Sequence, residues 1–272
     1  MSETNYITKA GIFFTCNQKK ELVSEQIVPE HIITHVYAGK ILVTTANKTY
    51  TLSAGQTALF GRNQLAKFTK EPQGGDACTS VTIFFTQSFL QQFYTTHPQP
   101  EPEQKKHRSK IIQLKDDPLL DDLFRSVSSY STSDELYVTD ELAQLKVKEA
   151  LTLAREMDRN VDLLLSDFSE PYKIDLAGFM QQNFMFNIPI SKFAYLTGRS
   201  LATFKRDFRK VFGSSPQRWL TEKRLEQAHF LIAEKMQRPS QAYVEAGFEN
   251  FSHFSYTFKN FFGYTPSAIL SR

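Results

Sequence analysis

The first third of the chain is a succession of short apolar segments, and it predicts β-structure. Turn signals such as Ala38-Gly39 and Ala54-Gly55 separate segments that are rich in β-branched and aromatic residues. The predicted strands are Gly11–Thr15, His31–Tyr37, Lys40–Thr45, Thr49–Leu52, Gln56–Phe60, Leu65–Phe68 and Cys78–Phe85. Strands at this spacing favour a sandwich or a barrel over a parallel sheet.

From Thr86 onward the apolar positions change to helical spacing. A helix is predicted over Thr86–Thr96, capped by Thr86 or Ser88, and two more over Asp117–Tyr130 and Thr139–Asp158. The charged, proline-rich stretch 97–110 is predicted to be an exposed loop. Residues 168–171 are the candidate linker to the C-terminal part of the chain.

The last eighty residues contain an internal repeat with an offset of 50 residues. Both copies contain the pattern F-x-x-x-F-x-x-x-F-G-x-x-P, and it predicts helices over Leu201–Val211 and Ser252–Phe262. The matching residues are Phe204, Phe208, Phe212, Gly213 and Pro216 in the first copy, and Phe254, Phe258, Phe262, Gly263 and Pro266 in the second. Phenylalanines at this spacing share one side of a helix, and the glycine after them suits a left-handed C-terminal cap.

A shorter apolar segment ending in glycine, Gly198 or Gly247, precedes each copy. A short helix, a glycine turn and a longer helix form the outline of a helix-turn-helix motif. Between the copies, Pro216 begins a predicted helix that runs through Lys235. About 20 residues at ~1.5 Å each make a rod of ~30 Å, close to the ~34 Å between successive major-groove faces of B-DNA.

These residues resemble the paired helix-turn-helix domain of AraC/XylS-type transcriptional regulators. The resemblance covers roughly the last hundred residues. It depends on F-A-Y-L-T-G-R-S-L-A-T-F-K-R-D-F at 193–208, on S-P-Q-R-W-L followed by Arg224 and Leu225, and on E-A-G-F-E-N-F-S-H-F-S-Y-T-F-K-N-F-F-G-Y-T-P at 245–266. The chain departs from the family pattern at two places. At the start of the second motif, Ala242-Tyr243 stands where the family usually has a β-branched or aliphatic residue followed by alanine, and in the second reading helix Tyr256 replaces a family-typical arginine.

The N-terminal half is similar, more loosely, to the small cupin-like β-barrel that often precedes such domains, through H-V-Y-A-G-K-I-L-V-T at 35–44 and T-L-S-A-G-Q-T-A-L-F at 51–60. The resemblance implies an α+β protein with three parts. They are a cupin-like barrel over 1–96, a helical segment over 97–167 that mediates dimerisation, and two helix-turn-helix motifs joined by a linker helix over 168–272.

Composition and charge agree with an intracellular DNA-binding protein. The chain has 272 residues, of which 41% are hydrophobic and 22% charged, as in folded domains. Its start lacks the pattern of a signal peptide, its apolar runs are too short to cross a membrane, and its two cysteines fit a reducing cytoplasm. The net charge of +3 is uneven, because the last 102 residues contain 14 Lys and Arg against 7 Asp and Glu.

The resemblance implies DNA contacts from the outer faces of both reading helices. In the first, Lys205 and Arg206 are predicted to reach base edges, Ala202 a thymine methyl, and Thr203, Arg209 and Lys210 phosphates. In the second, the candidates are Ser252, His253, Ser255, Tyr256 and Lys259, of which Lys259 is a phosphate candidate. The first motif is expected to supply most sequence reading and the second to position the protein. On the linker helix, Arg224 is a candidate either for DNA contact or, preferably, for an ion pair with Glu222 or Asp207.

Three hypotheses of different classes remain. The protein is a promoter-binding regulator that responds to a small effector, or a regulator controlled through a protein contact with an inert barrel, or a metal-dependent cupin enzyme. Tyr37, Phe60, Phe84 and Phe85 either line an effector site or fill the core. The third hypothesis is disfavoured, because His31 and His35 are spaced ~13 Å apart along a strand and no catalytic or cofactor motif is present. We therefore expect no cofactor, metal or catalytic residue, with promoter DNA, RNA polymerase and a second copy of the chain as partners.

Overall fold

The strand-rich part of the chain ends at Ser169, and a helical part begins after it. The computed structural model describes residues 4–9, 11–23, 26–97, 110–132, 135–136 and 138–270. The chain divides into a first unit, Met1–Ser169, and a second unit, Glu170–Arg272. Most of the predicted loop at 97–110 lies outside the described residues.

The strands of the first unit are β1 Thr4–Lys9, β2 Ile12–Asn17, β3 Glu21–Leu22, β4 Ile27–Val28, β5 His31–Ala38, β6 Lys40–Thr44, β7 Thr49–Ser53, β8 Thr57–Phe60, β9 Gln64–Leu65, β10 Lys67–Glu71, β11 Cys78–Phe85, β12 Ile111–Gln113, β13 Ser131–Thr132 and β14 Glu135–Leu136. Its helices are α1 Gln87–Thr96, α2 Pro118–Ser128, α3 Asp140–Met157 and α4 Asn160–Leu165.

Two sheets, both antiparallel, form the strand layers. The larger has the order β1-β2-β11-β5-β8-β12, and the smaller has the order β3-β10-β6-β7. The pairs β4-β9 and β13-β14 are separate. The predicted barrel is therefore not closed among the described strands, because these two sheets pack face to face without a ladder that joins them.

Alternation along β5 shows how the layers stack. Ile32 and Val36 face the smaller sheet, in a core shared with Val43 and Leu52, whereas Ile33 faces the helices. Successive side chains of a strand point to opposite faces, so a strand whose first six residues are all buried is covered on both sides. The order of layers is thus helices, larger sheet, smaller sheet.

Three helices of the first unit, α1, α2 and α3, begin one residue after the predicted helix starts, so that the predicted first residue caps each of them. Thr86 accepts a hydrogen bond from the Phe89 amide at the start of α1, Asp117 caps α2, and Thr139 caps α3. The buried sides of α2 and α3 complete the core over the larger sheet. Sequence patterns did not predict β1, β3, β4, β12, β13, β14 or α4. All except β1 are short, with two, three or six residues, whereas β1 has six residues and pairs with the neighbouring strand β2.

The second unit is helical, with α5 Leu176–Asn183, α6 Ile190–Leu196, α7 Leu201–Phe212, α8 Pro216–Ala233, α9 Pro239–Glu245, α10 Phe251–Phe262 and the 3₁₀ turn Pro266–Ile269. The two predicted reading helices are α7 and α10, and α8 is the predicted linker helix. The sequence did not predict α5. Among the described residues, no helix combines the length and apolar character needed to cross a membrane.

Each reading helix buries its phenylalanines against a different part of α8. Phe208 and Phe212 of α7 pack around Trp219, at 5.6 and 4.6 Å between ring centroids. Ten residues further along α8, the His229 ring lies 6.1 Å from Phe258 and 4.8 Å from Phe262 of α10. One continuous helix is therefore part of the core of both motifs.

Candidate nucleic-acid interface

The two reading helices have matching beginnings and ends. The Ser200 hydroxyl accepts from the Thr203 amide at the start of α7, and the Asn250 side chain accepts from the His253 amide at the start of α10. Gly213 and Gly263 end the helices in the left-handed conformation, with φ of +69° and +83°. Both glycine caps were predicted from the repeat.

The buried sides of the helices determine which residues remain outside. Phe204, Phe208, Phe254 and Phe258 are completely buried. The exposed candidates for DNA contact are Ala202, Lys205, Arg206, Arg209, Lys210, Ser252, His253, Tyr256 and Lys259, whereas Thr203 and Ser255 are partly buried. The Thr203 hydroxyl accepts a hydrogen bond from Ser200 at 3.0 Å, which ties this candidate to the helix cap. The structure thus leaves both predicted faces open to a ligand.

A basic groove runs along the outer face of α7. Its walls come from the start of α6, from α7 itself and from the start of α8. The lining residues are Ile190, Ser191, Leu201, Lys205, Arg206, Arg209, Lys210, Ser215, Pro216 and Gln217. Four of these ten are cationic, so the groove has the charge that a phosphate backbone requires.

Position by position, the outer face of α10 has a different chemistry. Ser255 stands where α7 has Lys205, and Tyr256 stands where it has Arg206. Lys259 matches Arg209, whereas Asn260 replaces Lys210. The repeat therefore keeps the interior of the motif and changes the surface that would meet DNA.

Backbone from outside each motif covers the glycine of its turn. Gly198 has φ of +65°, and a Cβ placed on it would lie 2.2 Å from the carbonyl carbon of Tyr172. Gly247 has φ of +99°, and its Cβ would lie 2.6 Å from the Met185 carbonyl oxygen. Only glycine combines this backbone conformation with so close an approach.

Arg224 is structural, although not through the partners that the sequence suggested. Its guanidinium donates to the carbonyls of Phe184 at 2.9 Å and Phe186 at 2.7 Å, and to the Asn187 side chain at 3.0 Å. Burial lowers the pKa of Arg224 to about 10, and the charge of Glu249 opposes that shift. The predicted ion pair with Glu222 or Asp207 is wrong, because Arg218 pairs with Glu222 and Arg199 with Asp207.

Sequence reasoning also missed the pair formed by Arg199 and Asp207. Arg199 Nε donates to Asp207 Oδ2 at 3.2 Å, and the Arg199 side chain is 7% exposed. The presence of Asp207 in the otherwise basic helix α7 could have suggested an ion pair. Its partner Arg199 lies eight residues earlier, on the other side of the turn, and the sequence alone did not identify it.

In the first unit, the aromatic and histidine residues singled out in the sequence are part of packed structure. Phe60 and Phe85 are completely buried in the cores on the two sides of the larger sheet. The Tyr37 hydroxyl donates to the Phe124 carbonyl at 2.7 Å. His35 stacks on Phe124 at 4.5 Å, and burial lowers its pKa to about 4.

His31 is the first residue of β5 and has a different environment. Its Nδ1 accepts from the Arg62 amide at 3.3 Å. Burial, with the charges of Arg62 and Lys110, lowers its pKa to about 4. Within the part of the chain that the structure describes, no three His, Cys, Asp or Glu side chains are grouped so that they could hold a metal ion.

Comparisons with known proteins agree with this division of the chain. A family model described as the ExsA N-terminal regulatory domain matches residues 31–165, and one described as a helix-turn-helix domain matches residues 193–272. The virulence regulon transcriptional activator VirF of Yersinia enterocolitica is 27% identical over 236 residues, which cover 84% of each chain. The HTH-type transcriptional regulator ExsA of Pseudomonas aeruginosa is 27% identical over 234 residues, covering 84% of this chain and 82% of that protein. Among solved structures, apo ToxT from Vibrio cholerae aligns over 97% of this chain and 98% of its own, with 14% identity and a TM-score of 0.44.

Proposed function

The chain is a DNA-binding transcriptional regulator of the AraC family, and from that premise we propose that its two motifs read neighbouring major-groove segments of promoter DNA. One observation carries the proposal, namely that a single helix, α8, belongs to the cores of both motifs. Its 18 residues span ~27 Å. Because Trp219 anchors it to one reading helix and His229 contacts the other, it acts as a rigid spacer between them.

The roles proposed for individual residues depend on the exposed faces. Lys205 and Arg206 contact base edges, and Arg206 bonds a guanine through O6 and N7. Arg209, Lys210 and Thr203 contact phosphates, and Ala202 packs against a thymine methyl. On α10, Ser252, His253, Ser255 and Tyr256 make polar contacts and Lys259 binds a phosphate. The outer face of α7 has more cationic side chains than that of α10. This supports the proposal that the first motif reads most of the DNA sequence and that the second positions the protein on the DNA.

Selection of bound sequences from random duplexes tests this proposal. A protein with two rigidly spaced motifs selects two short boxes about one helical turn apart, and its affinity for them exceeds its affinity for other DNA at every salt concentration. A merely basic domain enriches no sequence, and its binding is lost as salt rises.

We propose that the protein activates transcription through contact with RNA polymerase, in the cytoplasm where promoter DNA lies. The support is the named activity of its relative VirF, a transcriptional activator. Transcription of a selected promoter with purified polymerase, with and without the protein, tests this. Increased transcript supports activation, and decreased transcript indicates repression.

For the first unit we propose a regulatory role exerted through a protein partner rather than through a ligand inside the sheets. The complete burial of Phe60 and Phe85 in packed cores supports this choice. The effector hypothesis has a clear test, because a small molecule at 100 times its dissociation constant adds ~2.7 kcal/mol to stability. A metabolite that raises the melting temperature in this way would replace the proposed protein partner. The resemblance of this unit to a cupin stays a prediction.

We also propose that α3 pairs with a second copy of the chain. Leu142 and Leu145 of this helix are 38% and 58% exposed, although its opposite side packs in the core. Apolar side chains left outside at this spacing suit a helix–helix contact. Light scattering at several concentrations should show a dimer that Leu145→Glu dissociates.

A further inference from the structure

The second unit begins with a segment outside any helix or strand, Glu170–Ile174, which we call the strap. The Tyr195 hydroxyl donates to Glu170 Oε2 at 2.7 Å, and Arg199 Nη1 donates to the Ile174 carbonyl at 3.1 Å. Between these two ties, the backbone of the strap lies directly on Gly198. The strap therefore rests on the turn of the first motif.

Asp207 connects the strap and the turn to the reading helix. Its Oδ2 accepts from Arg199 at 3.2 Å and lies 3.8 Å from Lys173 of the strap, while its Oδ1 lies 3.4 Å from Arg206. Although burial opposes ionisation, the hydrogen bond from Arg199 and the charges of Lys173 and Arg206 hold the pKa of Asp207 below its usual value. The Asp207 carboxylate thus connects Lys173 of the strap with Arg206, the main candidate for base reading.

The second motif lacks this arrangement. Backbone at Met185, from the turn between α5 and α6, covers its glycine, and Arg224 holds that turn in place. Where α7 has Asp207, α10 has Thr257, whose hydroxyl donates to the His253 carbonyl within the same helix. The cover of the second turn belongs to the interior of the unit, whereas the cover of the first is the segment that comes directly after the first unit.

The chain is also held on the other side of this boundary. Inside the first unit, Arg62 Nη2 donates to the Ser169 carbonyl at 3.0 Å. Ser169 and Glu170 are consecutive residues, with Cα atoms ~3.8 Å apart. The strap therefore begins at the residue directly after one whose carbonyl is held inside the first unit.

We propose that the strap is a coupling element and that Asp207 is the positioning residue through which it sets base discrimination by the first motif. With the strap seated, Asp207 orients Arg206; with the strap released, the first motif loses discrimination while the second keeps it. This inference depends on the proposed function, because it requires α7 to read DNA.

The test uses the full chain, as wild type and as the variants Asp207→Asn and Tyr195→Phe. Tyr172→Phe is the matched control, since it removes a hydroxyl from a strap side chain that is 75% exposed. Affinity is measured for the duplex that the wild type selects, and for the same duplex with either box scrambled. Asp207→Asn also removes a negative charge, which raises the affinity for every duplex. We therefore compare the discrimination ratio of each box, which is the affinity for the intact duplex divided by the affinity for the duplex with that box scrambled.

We expect Asp207→Asn to lower the discrimination ratio for the first box about five- to tenfold and to leave the ratio for the second box unchanged. Tyr195→Phe should lower the same ratio about threefold, and the control should match the wild type. Trypsin should cleave after Lys173 several-fold faster in both variants, because release of the strap exposes that bond. The fluorescence of Trp219 verifies that each variant is folded.

Different outcomes overturn different claims. If Asp207→Asn discriminates both boxes as the wild type does, the coupling proposal is wrong while the proposed function stands. If it loses discrimination at both boxes equally, Asp207 has a general structural role and the coupling proposal is again wrong. If the wild type itself selects no boxes, the proposed function fails and this inference fails with it.

Discussion

The two helix-turn-helix motifs are alike inside and different outside. Phe204 and Phe208 in one copy, and Phe254 and Phe258 in the other, are completely buried at equivalent positions. On the outer faces, Arg206 corresponds to Tyr256, and an acidic residue that binds the strap corresponds to a threonine. The comparison teaches that the repeat specifies the shape of the motif, while the exposed positions specify what each copy does.

The largest effects should come from the shared interior. Phe208→Ala and Phe258→Ala should each lower the free energy of unfolding of the second unit by ~3–5 kcal/mol, because each leaves a cavity in a packed aromatic core. Urea unfolding followed by the fluorescence of Trp219, the single tryptophan of the chain, measures both. Val211→Ala, at a 51% exposed position, should change stability by less than ~0.5 kcal/mol. A cost below ~1 kcal/mol for either phenylalanine would show that the two interiors are not equivalent.

The next largest effect on stability should come from Arg224, which holds the backbone that covers the turn of the second motif. Arg224→Met should cost ~3 kcal/mol, since it leaves the buried carbonyl of Phe186 and the partly buried carbonyl of Phe184 without this donor. Arg218→Met removes the same charge from the exposed side of α8 and should stay within ~0.5 kcal/mol of the wild type. Chemical unfolding of both variants checks this, and equal stabilities would rule out the structural role assigned to Arg224.

The outer faces should separate the motifs in DNA binding. Arg206→Ala should weaken binding by ~1–3 kcal/mol and relax preference at one base position. Tyr256→Ala should cost less than ~1 kcal/mol and leave the selected sequence unchanged. Titration against the selected duplex and its single-base variants measures both, and a larger loss for Tyr256 would reverse the roles assigned to the motifs.

The smallest expected difference is in the salt dependence of binding. The double variant Arg209→Gln with Lys210→Gln should reduce the slope of log K against log salt by ~1.8, and Lys259→Gln by ~0.9. Affinities at four or more salt concentrations give these slopes. An unchanged slope for the double variant would mean that these two cations do not contact phosphates.

Local patterns in the sequence predicted much of the second unit. The phenylalanine spacing and the glycine caps placed both reading helices to within a residue at each end, because periodicity and capping depend on neighbours along the chain. The same applies to α2 and α3 of the first unit, which begin one residue after the predicted helix starts Asp117 and Thr139.

The features that the sequence did not reveal depend on distant contacts. β12 pairs with β8, some fifty residues earlier in the chain, so its three residues carry no pattern of their own. The interpretation of Arg224 as an ion-pair partner was wrong, because two of its three acceptors are backbone carbonyls, which no residue type reveals, and the third is the Asn187 side chain. The link between Asp207 and the strap was missed for the same reason, since it forms only when the turn folds under residues 172–174.

The difference between the motifs can be measured most directly by scrambling one box at a time in the duplex that the wild-type protein selects. The account predicts that scrambling the box read by α7 lowers affinity by a factor of about ten or more, at ~1.4 kcal/mol per tenfold, while scrambling the box under α10 costs less. Hydroxyl-radical footprints assign each box to its motif. Equal losses at both boxes, or a larger loss at the box under α10, would contradict the account.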